Sequence, residues 1–466
     1  MRISLIHAIC LALISSCALL AQSNPVPFVN SPLVPAAAVP GNPGFMLTVN
    51  GTGFVSGATV TWNGQTRVTT FLNSSTLQAR ILAVDVKSPR TALVRVKNPV
   101  PGGGTSNAAI FLVTNPISIP SFSRQDTTLD NYNQEYVATG DFNGDSRLDA
   151  VFSVAHYFNS ETDANVYLSK GDGTLQLSQA KTNLGSFPGR VAVGDFNNDA
   201  NLDFVIGVYG YVIAQLGNGH GSFTRNSKWP STGSVKGIAI GDFNGDGKLD
   251  VATTDDLSPT LSILLGNGDG TFQPPTTYTT GSDPSSVAVG DFNRDGKLDL
   301  AVANGGSSEH TVSILLGNGD GTFQPQQQFT TGPVLTDIAV ADLNGDGLLD
   351  IAVPDNFGNA ATVLLGNGDG TFQSHVEYFT GRGPSGIALA DINGDGVLDM
   401  MTGDTGGRSL SVFLGKGDGT FQSRISFPAP NVASPFDIGI TDLNGDGRLD
   451  LVTTSGTFSF SIYTQQ

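Results

Sequence analysis

The chain has 466 residues, of which 59 are glycine and only 14% are charged. Acidic residues outnumber basic ones by 41 to 23, and the formal net charge of −18 argues against nucleic acid or an anionic membrane surface as a partner, because both would repel the chain. A hydrophobic fraction of 39% excludes a disordered protein and is enough for packed cores in two or three domains.

The first 21 residues predict a secretory signal peptide. Arg2 gives the positive end, an apolar run from Ile3 to Leu20 follows, and Ala21 precedes a mature start near Gln22. That run is too short and too poorly flanked for a membrane anchor, and no other apolar stretch is long enough to span a bilayer. We therefore expect a protein that is secreted or held in the cell envelope, without a transmembrane segment.

Both cysteines of the chain, Cys10 and Cys17, lie in this leader. The mature protein would then have no disulfide, and packing or bound metal would have to stabilise it. The segment Ile14-Ser15-Ser16-Cys17 resembles a bacterial lipobox, and cleavage before Cys17 would instead give a lipid-anchored protein.

Residues 24–115 predict a small β-sandwich, because short apolar segments alternate there with turns. The turns at Asn50-Gly-Thr-Gly-Phe54, at Trp62-Asn-Gly64 and within residues 98–107 resemble those of the IPT/TIG family of immunoglobulin-like domains. The resemblance implies a spacer or interaction module. We expect Trp62 in the core rather than in a ligand site, and we place the domain boundary at Asn115-Pro116.

The rest of the chain, residues 116–466, contains one pattern seven times. It reads Asp-x-Asn-x-Asp, and its copies begin 54, 47, 49, 51, 49 and 51 residues apart. Each period also holds short runs of Val, Ile, Leu and Thr punctuated by Gly, Asn and Asp, which are typical of strands and turns. A period near fifty residues is the size of a four-stranded propeller blade, and no segment of comparable clarity has helical periodicity.

A large apolar residue after a Gly-rich turn marks the expected start of an outer strand. Six periods have such a residue, at Leu175, Phe223, Phe272, Phe323, Phe372 and Phe421. The seventh has none, but Phe122 precedes Asp141 by 19 residues, the spacing that separates Phe223 from Asp242. We therefore predict an all-β fold: a seven-bladed β-propeller closed by an N-terminal outer strand and preceded by the small immunoglobulin-like sandwich.

These periods resemble the FG-GAP and VCBS repeats, the propeller family that includes the integrin α-subunit head. The resemblance covers residues 116–466, and it implies a ring of seven blades with calcium in the loops.

Calcium prefers six to eight hard oxygen ligands. In the third loop Asp242, Asn244 and Asp246 stand at positions 1, 3 and 5 and Asp250 at position 9, while Lys248 at position 7 offers its backbone carbonyl. All seven loops keep the four side-chain ligands. In chain order they are Asp141, Asn143, Asp145 and Asp149; Asp195, Asn197, Asp199 and Asp203; Asp242, Asn244, Asp246 and Asp250; Asp291, Asn293, Asp295 and Asp299; Asp342, Asn344, Asp346 and Asp350; Asp391, Asn393, Asp395 and Asp399; Asp442, Asn444, Asp446 and Asp450. The position-7 residues are Arg147, Asn201, Lys248, Lys297, Leu348, Val397 and Arg448.

Charge supports a cation in each loop. Each of the seven loops has three aspartates, which together make 21 of the 41 acidic residues. Carboxylates packed this closely repel one another without a cation. Asp-Asn-Gly clusters are also ordinary turn formers, but seven identical ligand patterns favour calcium. We therefore predict up to seven structural Ca²⁺ ions, which would bring the net charge of −18 to about −4.

Two loops depart from the pattern. Ser146 and Ala200 stand at position 6, where the other loops have glycine for a left-handed turn, so we predict weaker calcium binding in loops one and two. The Gly-Asp-Gly-Thr turns, such as Gly268–Thr271, are predicted as plain hairpin turns. His220 replaces the aspartate in one of them, which argues against an essential ligand there.

No catalytic constellation is evident. The four histidines of the mature chain, His156, His220, His310 and His375, lack metal-site spacing, and there is no nucleophile elbow, phosphate loop or cysteine nucleophile. A propeller-scaffold polysaccharide lyase or glycoside hydrolase with dispersed acids remains the alternative. We expect an extracellular binding or adhesion module for protein or carbohydrate, monomeric, or else a purely structural module of an extracellular assembly.

Alternating strand directions put the proposed calcium loops on one face of the ring. On the other face, aromatic residues expected on irregular loops near the first three blades predict a ligand surface, with local packing as the alternative. These residues are His156, Tyr157, Phe158, Tyr209, Tyr211 and Trp229.

Overall fold

The computed structural model describes residues 23–128, 132–156, 161–306, 310–429, 435–456 and 459–466. The predicted signal peptide with Cys10 and Cys17 lies outside the described residues, and so do Tyr157 and Phe158. Within the described ranges every regular element is a strand, and no helix has the length and hydrophobicity needed to cross a bilayer.

The N-terminal part is a sandwich of two sheets. Its strands are β1 (Phe28–Val29), β2 (Ala37–Ala38), β3 (Phe45–Thr52), β4 (Thr59–Trp62), β5 (Gln65–Thr66), β6 (Thr69–Asn73), β7 (Thr76–Ile81), β8 (Arg90–Lys97) and β9 (Ala109–Val113). One sheet has the order β1-β3-β7-β6 and the other β2-β9-β8-β4-β5. Trp62 is buried between them with its ring centroid 5.0 Å from that of Phe111, so the prediction of a core tryptophan is confirmed.

The repeats form antiparallel sheets. Their strands are β10 (Phe122–Thr128), β11 (Tyr132–Gly140), β12 (Asp149–His156), β13 (Glu161–Ser169), β14 (Leu175–Ser186), β15 (Val191–Gly194), β16 (Asp203–Gly217), β17 (Phe223–Gly241), β18 (Asp250–Asp255), β19 (Thr260–Leu264), β20 (Thr276–Thr279), β21 (Pro284–Gly290), β22 (Asp299–Asn304), β23 (Thr311–Leu315), β24 (Gln327–Thr330), β25 (Ala339–Ala341), β26 (Asp350–Asp355), β27 (Ala360–Leu364), β28 (Val376–Phe379), β29 (Pro384–Ala390), β30 (Asp399–Asp404), β31 (Ser409–Phe413), β32 (Ile425–Pro428), β33 (Ile438–Thr441), β34 (Asp450–Thr454) and β35 (Ser459–Gln465).

Four-stranded sheets recur along the chain as propeller-like blades, which we number as units one to seven. Unit one is β11-β12-β13-β14, and units four, five and six follow the same order from β21 to β32. Units two and three share one sheet of six strands, because β16 and β17 each change pairing partner along their length. Unit seven has the order β10-β35-β34-β33, so its outer strand precedes unit one in the chain.

The predicted outer strands start in two ways. Phe122, Leu175 and Phe223 begin strands, as expected from the sequence. The other four residues of the set lie ahead of the strand in isolated bridges to the preceding turn, so these outer strands begin later than the sequence predicted. The pairs are Gly266–Phe272, Gly317–Phe323, Gly366–Phe372 and Gly415–Phe421.

Apolar side chains pack between consecutive units rather than within one unit. Val151 and Val166 of unit one join Phe204 and Ile206 of unit two, and equivalent clusters follow to unit seven. A further cluster joins unit seven to unit one. The Arg190 guanidinium, just before β15 of unit two, lies 2.6 Å from Asp337 and 3.3 Å from Asp437, side chains that come from units five and seven.

Candidate metal-binding loops

The seven Asp-x-Asn-x-Asp loops occupy the same place in every unit. Each joins the first strand to the second, and its position-9 aspartate is the first residue of the second strand, as Asp299 is of β22. The structure thus brings the four predicted side chains of each loop into one short connection on one face of the repeats.

Backbone amides curl each loop around its position-1 carboxylate. In loop five, one oxygen of Asp342 accepts the amides of Gly345 and Asp346 at 2.8 and 3.2 Å, and the other accepts that of Gly347 at 2.8 Å. The Asn344 side chain accepts the Asp346 amide at 3.0 Å, and Asp346 in turn accepts the amide at position 7 at 2.8 Å. These bonds fix the loop shape. The Asp342 oxygen that accepts only Gly347, and the accepting oxygens of Asn344 and Asp346, each retain a lone pair that a cation could use.

The position-9 aspartates anchor the loops to the sheets. Both oxygens of Asp350 accept backbone amides at 2.8 Å, one from Leu343 in the loop and one from Gly366 after the third strand. Burial raises the pKa of Asp350 to about 7, these amides lower it, and Asp342 and Asp346 raise it further. The pKa of Asp399 is raised to about 8, and that of Asp250 well above its ordinary value, also mainly by burial. A bound cation would favour the ionised form that burial opposes.

Position 6 is left-handed in all seven loops. The glycines have φ between 81° and 89°, and Ser146 and Ala200 adopt the same region at 67° and 71°. Loops one and two therefore carry the backbone strain that the sequence predicted. Their weaker calcium binding stays a prediction.

The donor set fits calcium, because every predicted ligand is a hard oxygen and they alternate along a tight turn. Across the described ranges, however, no three His, Cys, Asp or Glu side chains are arranged so that they could hold a metal ion as they stand. In three loops the basic side chain at position 7 forms an ion pair with the position-5 carboxylate, which is one of the predicted calcium ligands. Lys248 lies 3.1 Å from Asp246, Lys297 lies 3.4 Å from Asp295, and Arg147 pairs with Asp145. The sequence analysis missed these ion pairs, although the basic residue at position 7 is visible in the sequence.

The N-terminal sandwich packs against the loop face, which sequence reasoning did not predict. The Val26 amide donates to Asp242 at 2.8 Å, and the Ser23 hydroxyl donates to the Asp246 carbonyl. The Ser31 carbonyl accepts the amide of Asp342 at 3.0 Å. The backbone of Gly447 lies against that of Arg90, and Gly394 lies against the Thr114 side chain. The Ile117 amide, just after the sandwich, donates to the carbonyl of Asn393. The sandwich thus contacts loops three, five, six and seven.

The Gly-Asp-Gly turns do more than reverse the chain. The Gly270 amide of unit three donates to the Phe196 carbonyl at position 2 of loop two, at 2.9 Å. Gly221, Gly321 and Gly370 repeat this contact with the preceding unit, and Gly173 of unit one makes it with Leu443 of unit seven. Each such turn therefore supports the loop of its neighbour. The equal spacing of turns and loops was visible in the sequence, but the contact between units was not.

The predicted aromatic surface is only partly formed. Trp229 lies in strand β17, where its ring meets the buried Phe272 edge-on at 5.1 Å, so its placement on an irregular loop was wrong. His156 ends β12 with its Nε2 atom 2.7 Å from Asp163. Tyr209 is 49% exposed, and its ring lies 6.0 Å from that of Phe187, which is 58% exposed and which the sequence analysis did not single out.

Solved structures of low sequence identity share the fold. The periplasmic gluconolactonase PpgL of Pseudomonas aeruginosa is 15% identical with a TM-score of 0.52, over 79% of this chain and 97% of that one. A protein from Lactobacillus plantarum is 13% identical with a TM-score of 0.50, over 73% and 96%. At these identities the likeness concerns the fold alone.

Family models match both parts of the chain, whereas no curated protein matches it. The model described as IPT/TIG domain matches residues 28–111. The model described as FG-GAP-like repeat matches six segments, at residues 141–206, 195–253, 242–302, 301–353, 355–402 and 401–453. The chain therefore belongs to the family of FG-GAP-like repeat proteins and carries an N-terminal IPT/TIG domain.

Proposed function

We propose that this chain is a secreted calcium-binding β-propeller that acts as an extracellular binding or adhesion module for a protein or a carbohydrate. Its parts would be the signal peptide at 1–21, the IPT/TIG domain at 24–115 and a seven-bladed propeller at 116–466. One observation carries the proposal: the same oxygen-donor loop, held by the same hydrogen bonds, stands at the same place in all seven units.

Closure of the ring is supported by contacts between units seven and one. Strand β10 pairs with β35 from Phe122–Gln465 to Thr128–Ser459, units seven and one share an apolar cluster, and Arg190 forms ion pairs with Asp337 of unit five and Asp437 of unit seven. Deleting residues 116–128 should then lower the melting temperature sharply, because unit seven would lose its outer strand. An unchanged melt would reject closure by this segment.

Calcium would be held in each loop by the side chains at positions 1, 3, 5 and 9 and the carbonyl at position 7. The role we propose is structural: the position-2 carbonyl of a loop accepts the glycine amide of the next unit's turn, so an ordered loop supports the neighbouring blade. The proposal assigns no catalytic group and a monomeric state.

Calcium binding is tested on the full mature chain. Protein stripped with EDTA is titrated with Ca²⁺ by isothermal calorimetry, and the calcium content after dialysis is measured by mass spectrometry. We expect up to seven ions per chain and a higher melting temperature in calcium than in EDTA. Magnesium is the control cation, because it requires a rigid octahedral site and should bind more weakly. Less than one calcium per chain at millimolar Ca²⁺ contradicts the proposal.

The ligand surface we propose lies on the face opposite the loops, since the sandwich covers part of the loop face. Phe187 precedes β15, Tyr209 ends the first half of β16, and their exposed rings stand side by side. Lys228 lies 4.2 Å over the ring of the nearby Tyr211. Exposed aromatic rings beside a cation suit stacking on sugars or contact with a protein.

Binding is tested with a polysaccharide retention and degradation screen in calcium and in EDTA. Calcium-dependent retention without product release supports a carbohydrate-binding role, and the double variant Phe187→Ala/Tyr209→Ala should lose it. Phe379→Ala is the matched control, because Phe379 is also exposed but lies on the outer strand of unit five. Released oligosaccharide would support the lyase or hydrolase alternative, and no interaction with any glycan would favour a protein ligand.

A further inference from the structure

A cavity of about 310 Å³ lies between the N-terminal sandwich and the first strands of the repeats. Apolar side chains from both domains line it, among them Phe28, Leu93, Ile110, Val193, Leu249 and Leu298. Its volume is at the lower end of the roughly 300–1,000 Å³ of small-molecule sites, so it is too small for a polysaccharide or a folded partner.

Arg95 lies in the wall of this cavity because β8 has two different faces. Ala92, Val94 and Val96 point into the sandwich core, whereas Leu93 and Arg95 stand on the opposite face, toward the repeats. Within the described part of the chain, the Arg95 guanidinium has neither a hydrogen-bond acceptor nor an ion-pair partner. Burial lowers its pKa, and the field of Asp141 raises it.

The carboxylates near the cavity are occupied by backbone amides. Asp242 accepts the amides of Val26, Asp246 and Gly247, and Asp195 accepts those of Asp199 and Ala200. No oxygen of Asp141, Asp195 or Asp242 lies within 4.0 Å of a nitrogen of Arg95, so none forms an ion pair with it. The guanidinium is therefore a cation that lies between two domains without a protein acceptor.

We propose that this cavity binds a small organic anion whose apolar body fills the space and whose carboxylate bonds to Arg95. A guanidinium presents paired N–H donors that match the two oxygens of a carboxylate. The apolar part of the wall favours a hydrocarbon body. This site is separate from the aromatic surface, whereas Asp195 and Ala200 of loop two and Asp242 of loop three form part of its wall.

The experiment is a calorimetric titration of the full mature chain with octanoate, in buffer containing calcium. We expect saturable binding of one octanoate per chain and at least about tenfold weaker binding of 1-octanol, which has the same apolar chain without the charge. Arg95→Gln should weaken octanoate binding by about tenfold or more and leave octanol binding unchanged. Arg80→Gln is the matched control, because Arg80 is exposed on β7 of the same sandwich, and it should bind octanoate like the wild type.

Three results would overturn the proposal: no octanoate binding by the wild-type chain, equal binding of octanoate and octanol, or unchanged octanoate affinity in a folded Arg95→Gln variant. If that variant does not fold, the comparison of octanoate with octanol on the wild-type chain decides the question. Calcium binding is measured in the same samples, so that a failure of the calcium proposal is seen separately.

Discussion

Loops three and four have almost the same sequence but different surroundings. From the first aspartate to the last they differ only at position 4, where loop three has Gly245 and loop four has Arg294. In loop three Asp242 is 7% exposed and bonds to the N-terminal sandwich, whereas Asp291 of loop four is half-buried and has no bond to the sandwich among the described contacts.

The position-6 glycines show the difference most directly. A Cβ on Gly247 would lie 2.6 Å from the carbonyl oxygen of Asn24 and 2.8 Å from the Cα atom of Gly102, while a Cβ on Gly296 would meet nothing within 4 Å. Loop three therefore needs glycine for its backbone angle and for space, and loop four for its angle alone. Identical ligand patterns do not make identical sites when a separate domain packs on one of them.

The largest effect should be the same in both loops. In Asp250→Ala and Asp299→Ala, two buried amides lose their acceptor, which should lower the free energy of unfolding by about 2–6 kcal/mol in each case. Urea unfolding in EDTA measures this without the contribution of a calcium ligand. Asp269→Ala, at an exposed turn, is the control and should change little. A clear difference between the two variants would mean that the sandwich contact extends to position 9.

The position-6 glycines should separate the loops. Gly296→Ala should cost about 1–2 kcal/mol, the strain of a left-handed alanine. Gly247→Ala adds the clash with Asn24 and should cost about 2–5 kcal/mol in total. Thermal unfolding gives the stability, and limited proteolysis shows whether the sandwich is released in Gly247→Ala alone. Equal costs would place the sandwich away from loop three.

A smaller effect is expected from the hydrogen bond that joins the sandwich to loop three. Val26→Pro removes the amide that donates to Asp242, which should cost about 1.5–3 kcal/mol and speed calcium release from one class of site. Stopped-flow mixing of calcium-loaded protein with a fluorescent chelator measures the release. Val26→Ala retains the amide and is the control. If both variants release calcium at the same rate, this contact does not hold the loop.

Repetition made most of the fold predictable. The spacing of Phe122 from Asp141 matched that of the other units, and it correctly placed Phe122 at the start of an outer strand, β10. The repeated Asp, Asn and Gly residues located all seven loops. Trp62 was placed correctly because a large apolar residue in an alternating strand of a sandwich usually faces the core.

The docking of the sandwich was not predicted, because it depends on contacts made only once. One signal was available: Ala109–Val113 is continuously apolar, which is typical of a strand buried on both faces. In the structure Phe111 points into the sandwich core, whereas Ile110 and Leu112 pack against the repeats. Trp229 was misplaced because outer strand β17 continues through a segment that reads as a turn, Trp229-Pro-Ser-Thr-Gly233.

The smallest effect concerns the residue at position 6 itself, in two loops where the surroundings leave room for a side chain at that position. Ala200 of loop two has a φ of 71°, so Ala200→Gly should remove about 1–2 kcal/mol of strain and add about 0.4–1 kcal/mol of unfolded-chain entropy. The net gain should be about 0.5–1 kcal/mol, with tighter calcium binding at one site, measured by thermal unfolding and calorimetry. Gly396→Ala in loop six is the reverse exchange, since its Cβ would also meet nothing within 4 Å. If the two changes are equal and opposite, the residue at position 6 alone sets the difference in stability between these two loops. If Ala200→Gly gains nothing, the neighbouring unit already holds loop two in its strained shape.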